Sequence, residues 1–167
     1  MMEEIFDVVD ELDRVVGQAP RSVVHEQKLL HRAVHIFVFN SQGELLLQKR
    51  SALKDEYPLC YTSSASGHLG AGESYDMAAP RELEEELGLT GPLEWLAKFQ
   101  AGPQTSHEHT GLFRTTTDTP PHIDTREVDE VAFHSLDEIA TMIARSPQLF
   151  SPCFVTLFEW YHTKTST

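Results

Sequence analysis

Apolar and polar positions alternate with several periods along the chain, and each change of period marks an element. "IFDVVDELDRVVGQAPR" reads as two short strands around a turn at Glu11-Leu12-Asp13, a hairpin over about residues 4–20. "HRAVHIFVFNSQGELLLQKR" contains two apolar, partly β-branched runs separated by Asn40-Ser41-Gln42-Gly43, which predicts a hairpin with a four-residue loop. "CYTSSASGHLGAG" is small and polar and reads as a strand leading into a loop. A helix is expected from about Tyr75 to Leu87, stopped by Gly88. Pro80 falls inside it and lacks a backbone donor, so a late start or a kink is expected there. "LEWLAKFQA", "HTGLFRTTTD" and "VAFHS" read as strands, and "TDTPPHIDTREVDE" as a loop. Ser135 and Glu138 have the spacing of a capping box, opening a helix to about Ala144. Ser151-Pro152 opens another through Tyr161. Strands and helices alternate irregularly, which predicts an α/β fold with a mixed sheet flanked by helices.

Composition narrows the class. With 167 residues, 40% hydrophobic and 23% charged, the chain is expected to form one domain with a full core, 1–167. Its net charge of -13 disfavours nucleic acid polymers and anionic membranes. A small phosphorylated substrate is compatible with that charge if cations mask it locally. Cys60 and Cys153 do not make a disulfide scaffold. The acidic N-terminus lacks the pattern of a signal peptide, and no apolar run approaches the roughly twenty residues that span a bilayer. The expected location is the cytoplasm.

One stretch runs against ordinary helix electrostatics. "GHLGAGESYDMAAPRELEEELGL" gathers Glu73, Glu82, Glu84, Glu85 and Glu86, and like charges at helical spacing repel. On a helix, Glu82, Glu85 and Glu86 share a face. Acceptor-only oxygens grouped this way suit a hard cation, Mg²⁺ or Mn²⁺. A solvated acidic face is the competing explanation. Arg81 adjoins the cluster, and Gly67, Gly70 and Gly72 allow a loop to fold over the helix start and bring carbonyls near a metal.

The spacing decides between the two. From Gly67 the chain reads Gly, five residues, Glu73, seven residues, then Arg81-Glu82-Leu83-Glu84-Glu85-Glu86-Leu87-Gly88-Leu89. This resembles the Nudix box at every specified position, and the flanking elements fit that family's α/β/α sandwich. The resemblance implies a metal-dependent enzyme that cleaves a diphosphate joined to another group. It implies Gly67, Glu82, Glu85 and Glu86 as the metal set, with Glu82 and Glu85 counted among the catalytic residues. Glu73 and Arg81 would be supports and Glu84 solvated.

A second layer surrounds the box. "LHRAVHIFVFNSQGELLLQKRSALKDEYPLCYTSSASGH" is similar to the branch that includes type 1 isopentenyl diphosphate isomerases. By that resemblance Arg50 and Lys54 grip the diphosphate, and His31 and His68 match metal-binding histidines. His25 is one residue out of register with a third, and His68 is taken as part of the substrate and metal environment. The isomerase cysteine position holds Ser66; its glutamate survives as Glu108, but the carboxylate two residues earlier is replaced by Ser106. Serine is a far weaker acid than a tuned thiol. An intact box without that cysteine favours hydrolysis over isomerisation, with a non-catalytic nucleotide-binding module as a third reading.

The general base is left open among Glu108, Glu127 and Glu130. "HTGLFRTTTDTPPHIDTREVDE" is a natural specificity loop, and Tyr61, Phe99 and Phe113 are either ligand-stacking rings or core. The expected substrate is a nucleoside diphosphate derivative or another small organic diphosphate. A homodimer is left open.

Overall fold

The computed structural model describes residues 2–166. Strands β1 (Ile5–Val9) and β2 (Val15–Pro20) form a two-stranded antiparallel sheet, followed by the short helix α1 (Arg21–Glu26). The main sheet has seven strands: β3 (His31–Phe39), β4 (Leu45–Arg50), β5 (Tyr61–Thr62), β6 (Ala65–His68), β7 (Glu94–Phe99), β8 (Glu108–Thr116) and β9 (Val128–His134). Along the sheet the order is β5-β4-β3-β8-β7, with β6 added to β3 and β9 to β4. The β3–β8 pairing is parallel and the others are antiparallel, so the sheet is mixed.

Helix α2 (Tyr75–Leu87) covers one face, and α3 (Leu136–Arg145) and α4 (Pro152–Thr165) cover the other. Side chains alternate along β3 to serve both layers. Val34, Ile36 and Val38 meet Ala78, Ala79, Leu83 and Leu87 of α2. Phe37 and Phe39 meet Phe154, Leu157, Phe158 and Tyr161 of α4. Burial on both faces explains why β3 reads as an almost unbroken apolar run. Each of these large side chains, removed from water, stabilises the fold by about 1.5–3 kcal/mol. The result is the expected α/β/α sandwich.

Three details differ from the sequence reading. The β3–β4 hairpin is paired only at Phe39–Leu45. Below that point the strands diverge, and Ser64 fills the gap: the Val38 amide donates to its Oγ at 2.8 Å, and that hydroxyl donates to the Leu46 carbonyl at 2.6 Å. β6 then takes the free edge of β3. Secondly, α2 starts at Tyr75, capped by Ser74, and runs through Pro80 without a late start. Both Pro80 and Asp76 are exposed, so the Asp76 carbonyl that loses a donor faces water. Thirdly, of the stretch proposed as a specificity loop, the part read as a strand is β8 as far as Thr116, held between β3 and β7, so only residues from 117 onward are free to act as a loop. The sequence reading also missed α1, which is only six residues long.

Candidate active site

Beside the divergence of β3 and β4 lies a cleft of about 990 Å³, lined by β6 and by α2 from Met77 to Glu86. This is the upper end of the size usual for small-molecule sites. Ser74 caps α2 by accepting from the Met77 amide, and Gly88 ends the helix in the left-handed conformation at φ 62°. Between these stops, Glu82 and Glu86 lie one turn apart and both are buried, while Glu85 is 56% exposed at its side chain and is linked to Glu82 through Arg81. Glu84 is exposed.

Arg81 is the centre of the acidic cluster. Its Nε and Nη2 donate to the two oxygens of Glu73 at 2.7 Å each, a bidentate pair. Nη1 donates to Glu82 at 2.8 Å and Glu85 at 3.2 Å, and Nη2 also reaches the His68 carbonyl at 3.1 Å. Glu73 in turn accepts from the Gly70 amide at 3.0 Å. The glycine loop is tied down from the other side by β1: the Gly72 amide donates to Asp7 at 2.9 Å and the Ala71 amide to the Ile5 carbonyl at 2.9 Å. Glu82 lies against the backbone of Gly67, where a Cβ would overlap its carboxylate.

Glu86 sits in the β3–β4 gap. One oxygen accepts from the Ser66 amide at 2.9 Å and from Gln48 Nε2 at 3.1 Å. Burial pushes the Glu82 carboxyl up to about 8, reinforced by Glu86 and opposed by Arg81. Burial lifts Glu86 to about 7 against those two hydrogen bonds. Two buried carboxylates that resist ionisation side by side are a donor set that a hard cation fits.

A second cluster reaches the cleft through His68 and Glu108. Nitrogens of His25, His31 and His68 lie within 4.8 Å of one another. Glu108 Oε1 is 2.8 Å from His68 Nε2 and 3.4 Å from His31 Nε2. The His31 Nδ1 donates to the Leu29 carbonyl at 2.8 Å, which orients the ring so that Nε2 faces the Glu108 carboxylate. His25 Nε2 and His31 Nε2 are buried with no hydrogen-bond partner among the described residues. Phe6 of β1 stacks on His31 and His68, with centroids at 5.8 and 4.8 Å. Burial pushes Glu108 up, but His68 and His31 outweigh it and hold the carboxyl far below its usual range. Burial and His68 hold the His25 imidazole below its usual value. Imidazole nitrogens gathered beside a carboxylate are a donor set that fits a transition metal better than Mg²⁺.

The remaining candidates divide. Arg50 and Lys54 line the cleft; Arg50 Nε donates to the Glu56 carbonyl at 3.0 Å, and Lys54 is ion-paired with Glu127, which also lines it. The loop 117–127 returns over the end of α2, with the Asp124 amide on the Glu86 carbonyl at 3.1 Å, and this delivers Arg126 and Glu127 to the cleft. Glu130 is exposed on β9 opposite Lys49 and is not in the lining. Tyr61 packs on Phe150, Phe99 on Trp160, and Phe113 lies in the α2-side core, so none of the three rings lines the cleft. Ser66 and Ser106 do line it, and Ser106 and His107 both have positive φ, 55° and 63°, just before β8. The sequence reading missed Gln48 and His35; His35 between the apolar runs of β3 was a visible sign, whereas Gln48 stands next to Lys49 and Arg50 and gave none. It also missed the cleft position of Cys153.

Residues 29–152 match the model of the NUDIX domain. The chain belongs to the Nudix family. It is an enzyme of that family's hydrolase class, which acts on phosphorus-containing acid anhydrides. It is 34% identical over 158 residues to an isopentenyl-diphosphate Delta-isomerase 2 from Photorhabdus laumondii, covering 92% of this chain and 89% of the relative. It is 36% identical over 144 residues to an uncharacterised Nudix hydrolase from Pseudomonas aeruginosa, covering 86% and 85%. Among solved structures, DR0079 from Deinococcus radiodurans superposes with a TM-score of 0.83 at 27% identity, covering 93% of this chain and 98% of that one. Among the described residues no helix is long and apolar enough to cross a membrane.

Proposed function

We propose that this Nudix chain is a cytoplasmic hydrolase that cleaves the pyrophosphate bond of a nucleoside diphosphate derivative or another small organic diphosphate. The observation that carries the reading is the pairing of buried Glu82 and Glu86 with Arg50 and Lys54 around one cleft. Glu82, Glu85 and Glu86, with the Gly67 carbonyl, would hold Mg²⁺ or Mn²⁺. Such ions neutralise a diphosphate, polarise phosphorus and acidify bound water. Arg50 and Lys54 bind the far phosphate, and the Glu73–Arg81 brace keeps Glu82 at Gly67. Glu127 is the candidate base: it lines the cleft with a side chain 42% exposed and is released when a phosphate takes Lys54. Glu108 is committed to the histidines, where His25, His31, His68 and Glu108 would hold a second metal.

That histidine cluster favours a second reading, isomerisation of isopentenyl diphosphate. Against it, Ser66 stands where a thiol is needed. The cleft's own cysteine, Cys153, has its thiol pushed well above its usual range by burial and by Glu108. A screen of organic diphosphates with Mg²⁺ separates the two: hydrolysis releases an organic monophosphate together with inorganic phosphate or a second monophosphate, and isomerisation releases none of these.

A further inference from the structure

On the α4 side of the sheet, β3 changes character along its length. His31, Ala33, His35, Phe37 and Phe39 point to this side, and the change from His35 to Phe37 is where cleft gives way to core. Thr62, Ser66, Ser151 and Cys153 line the cleft around His35. Ser66 is the partner of His35 across the β3–β6 ladder. His35 is only 6% exposed; its Nδ1 is 2.7 Å from Ser63 Oγ, and among the described residues its Nε2 has just the Cys153 sulfur at 3.6 Å. The Thr62 and Ser151 hydroxyls are 2.9 Å apart and leave each other further bonding capacity.

A buried floor of this kind is costly to cover unless its polar groups stay paired. A hydrocarbon would cover these atoms and return no hydrogen bond. A hydroxyl would give His35 Nε2 a better partner than a thiol and would extend the Thr62–Ser151 pair. Burial holds the imidazole low, at about 4, so near neutral pH it is an uncharged hydrogen-bonding group rather than an anion site.

We propose that this floor is a subsite for hydroxyl groups of the substrate's organic part. The enzyme then takes hydroxylated, sugar-like diphosphates in preference to hydrocarbon ones. The inference rests on the diphosphate reading and names the substrate class within it.

The test compares a five-carbon polyol diphosphate with a five-carbon alkyl diphosphate of equal length. Turnover is measured with both, and binding with their non-hydrolysable methylene-bridged analogues in Mg²⁺. The wild-type protein is expected to favour the polyol by about tenfold or more in kcat/KM and in Kd. His35→Phe and Cys153→Val each bring the ratio toward one. If neither variant folds, the wild-type ratio alone decides. Equal affinities, a preference for the alkyl compound, or no binding of either analogue overturns the subsite. Polyol-selective binding without turnover supports it and contradicts hydrolysis instead, so the two claims fail separately.

Discussion

The Glu82 carboxylate lies directly against the backbone of Gly67, so the loop that precedes the helix shapes the acidic site as much as the helix does. Any side chain at 67 displaces the carboxylate. Gly67→Ala is expected to weaken Mg²⁺ binding and lower kcat by about tenfold or more while the circular dichroism spectrum stays native. Calorimetric titration with Mg²⁺ checks it; wild-type affinity in the variant removes the link between Gly67 and the metal.

Glu73 and Arg81 make the same point through hydrogen bonds. Their two contacts at 2.7 Å hold the guanidinium that orients Glu82. Arg81 is about one-third exposed, so solvent screening limits the pair's contribution to stability to about 1 kcal/mol. Its larger effect is on positioning: Glu73→Gln is expected to cut kcat by about 10–100-fold with a shift of only a few degrees in Tm. A large loss of Tm with proportionate loss of activity points to a purely structural role.

Much of this was legible in the sequence because the acidic helix and its glycines are local. The spacing from Gly67 to Leu89 is a property of one loop and one helix, and the structure keeps it in one place. The seven-stranded sheet was less legible. Nothing local in β3 and β4 says that they part after Phe39–Leu45, since that depends on Ser64 and on β6 taking the edge. The histidine cluster is also non-local: His25 follows the N-terminal hairpin, His31 opens β3 and His68 ends β6. A spacing one residue out of register did not prevent His25 from reaching the others, because α1 and its turn set that distance rather than the residue count.

His35 supplies a pH signature. Its folded value is depressed to about 4 by burial, against an unfolded value near 6.5. Below about 6.5 the unfolded chain takes a proton that the folded protein refuses. The stability from neutral His35 is therefore full above that pH and is lost as pH falls toward 4, by about 3 kcal/mol at most. Glu108 faces it and pulls its value up, while Arg50 and His68 push it down. Urea unfolding of wild type and His35→Asn between pH 4 and 7 checks the claim. The wild-type curve falls more steeply on acidification; parallel curves contradict the assignment.

The histidine cluster makes a prediction about metal identity. The gathered nitrogens of His25, His31 and His68, with Glu108 beside His31 and His68, fit a transition metal. After incubation with Mn²⁺ or Zn²⁺ and dialysis, wild-type protein is expected to retain about one ion per chain, and His31→Ala and His68→Ala far less. Elemental analysis reads this without an activity assay. Equal retention by all three proteins means the ion is held elsewhere.

The central claim is that Glu86 and Glu82 drive Mg²⁺-dependent hydrolysis at a pyrophosphate bond. It is tested most directly by the phosphorus NMR of an organic diphosphate incubated with wild type, Glu82→Gln or Glu86→Gln in oxygen-labelled water. Wild type with Mg²⁺ should yield an organic monophosphate and phosphate, with label on one of them. Each variant should be folded and slower by about a hundredfold or more. Wild-type rates in the variants, or isopentenyl diphosphate rearranged with no phosphate released, would contradict the account.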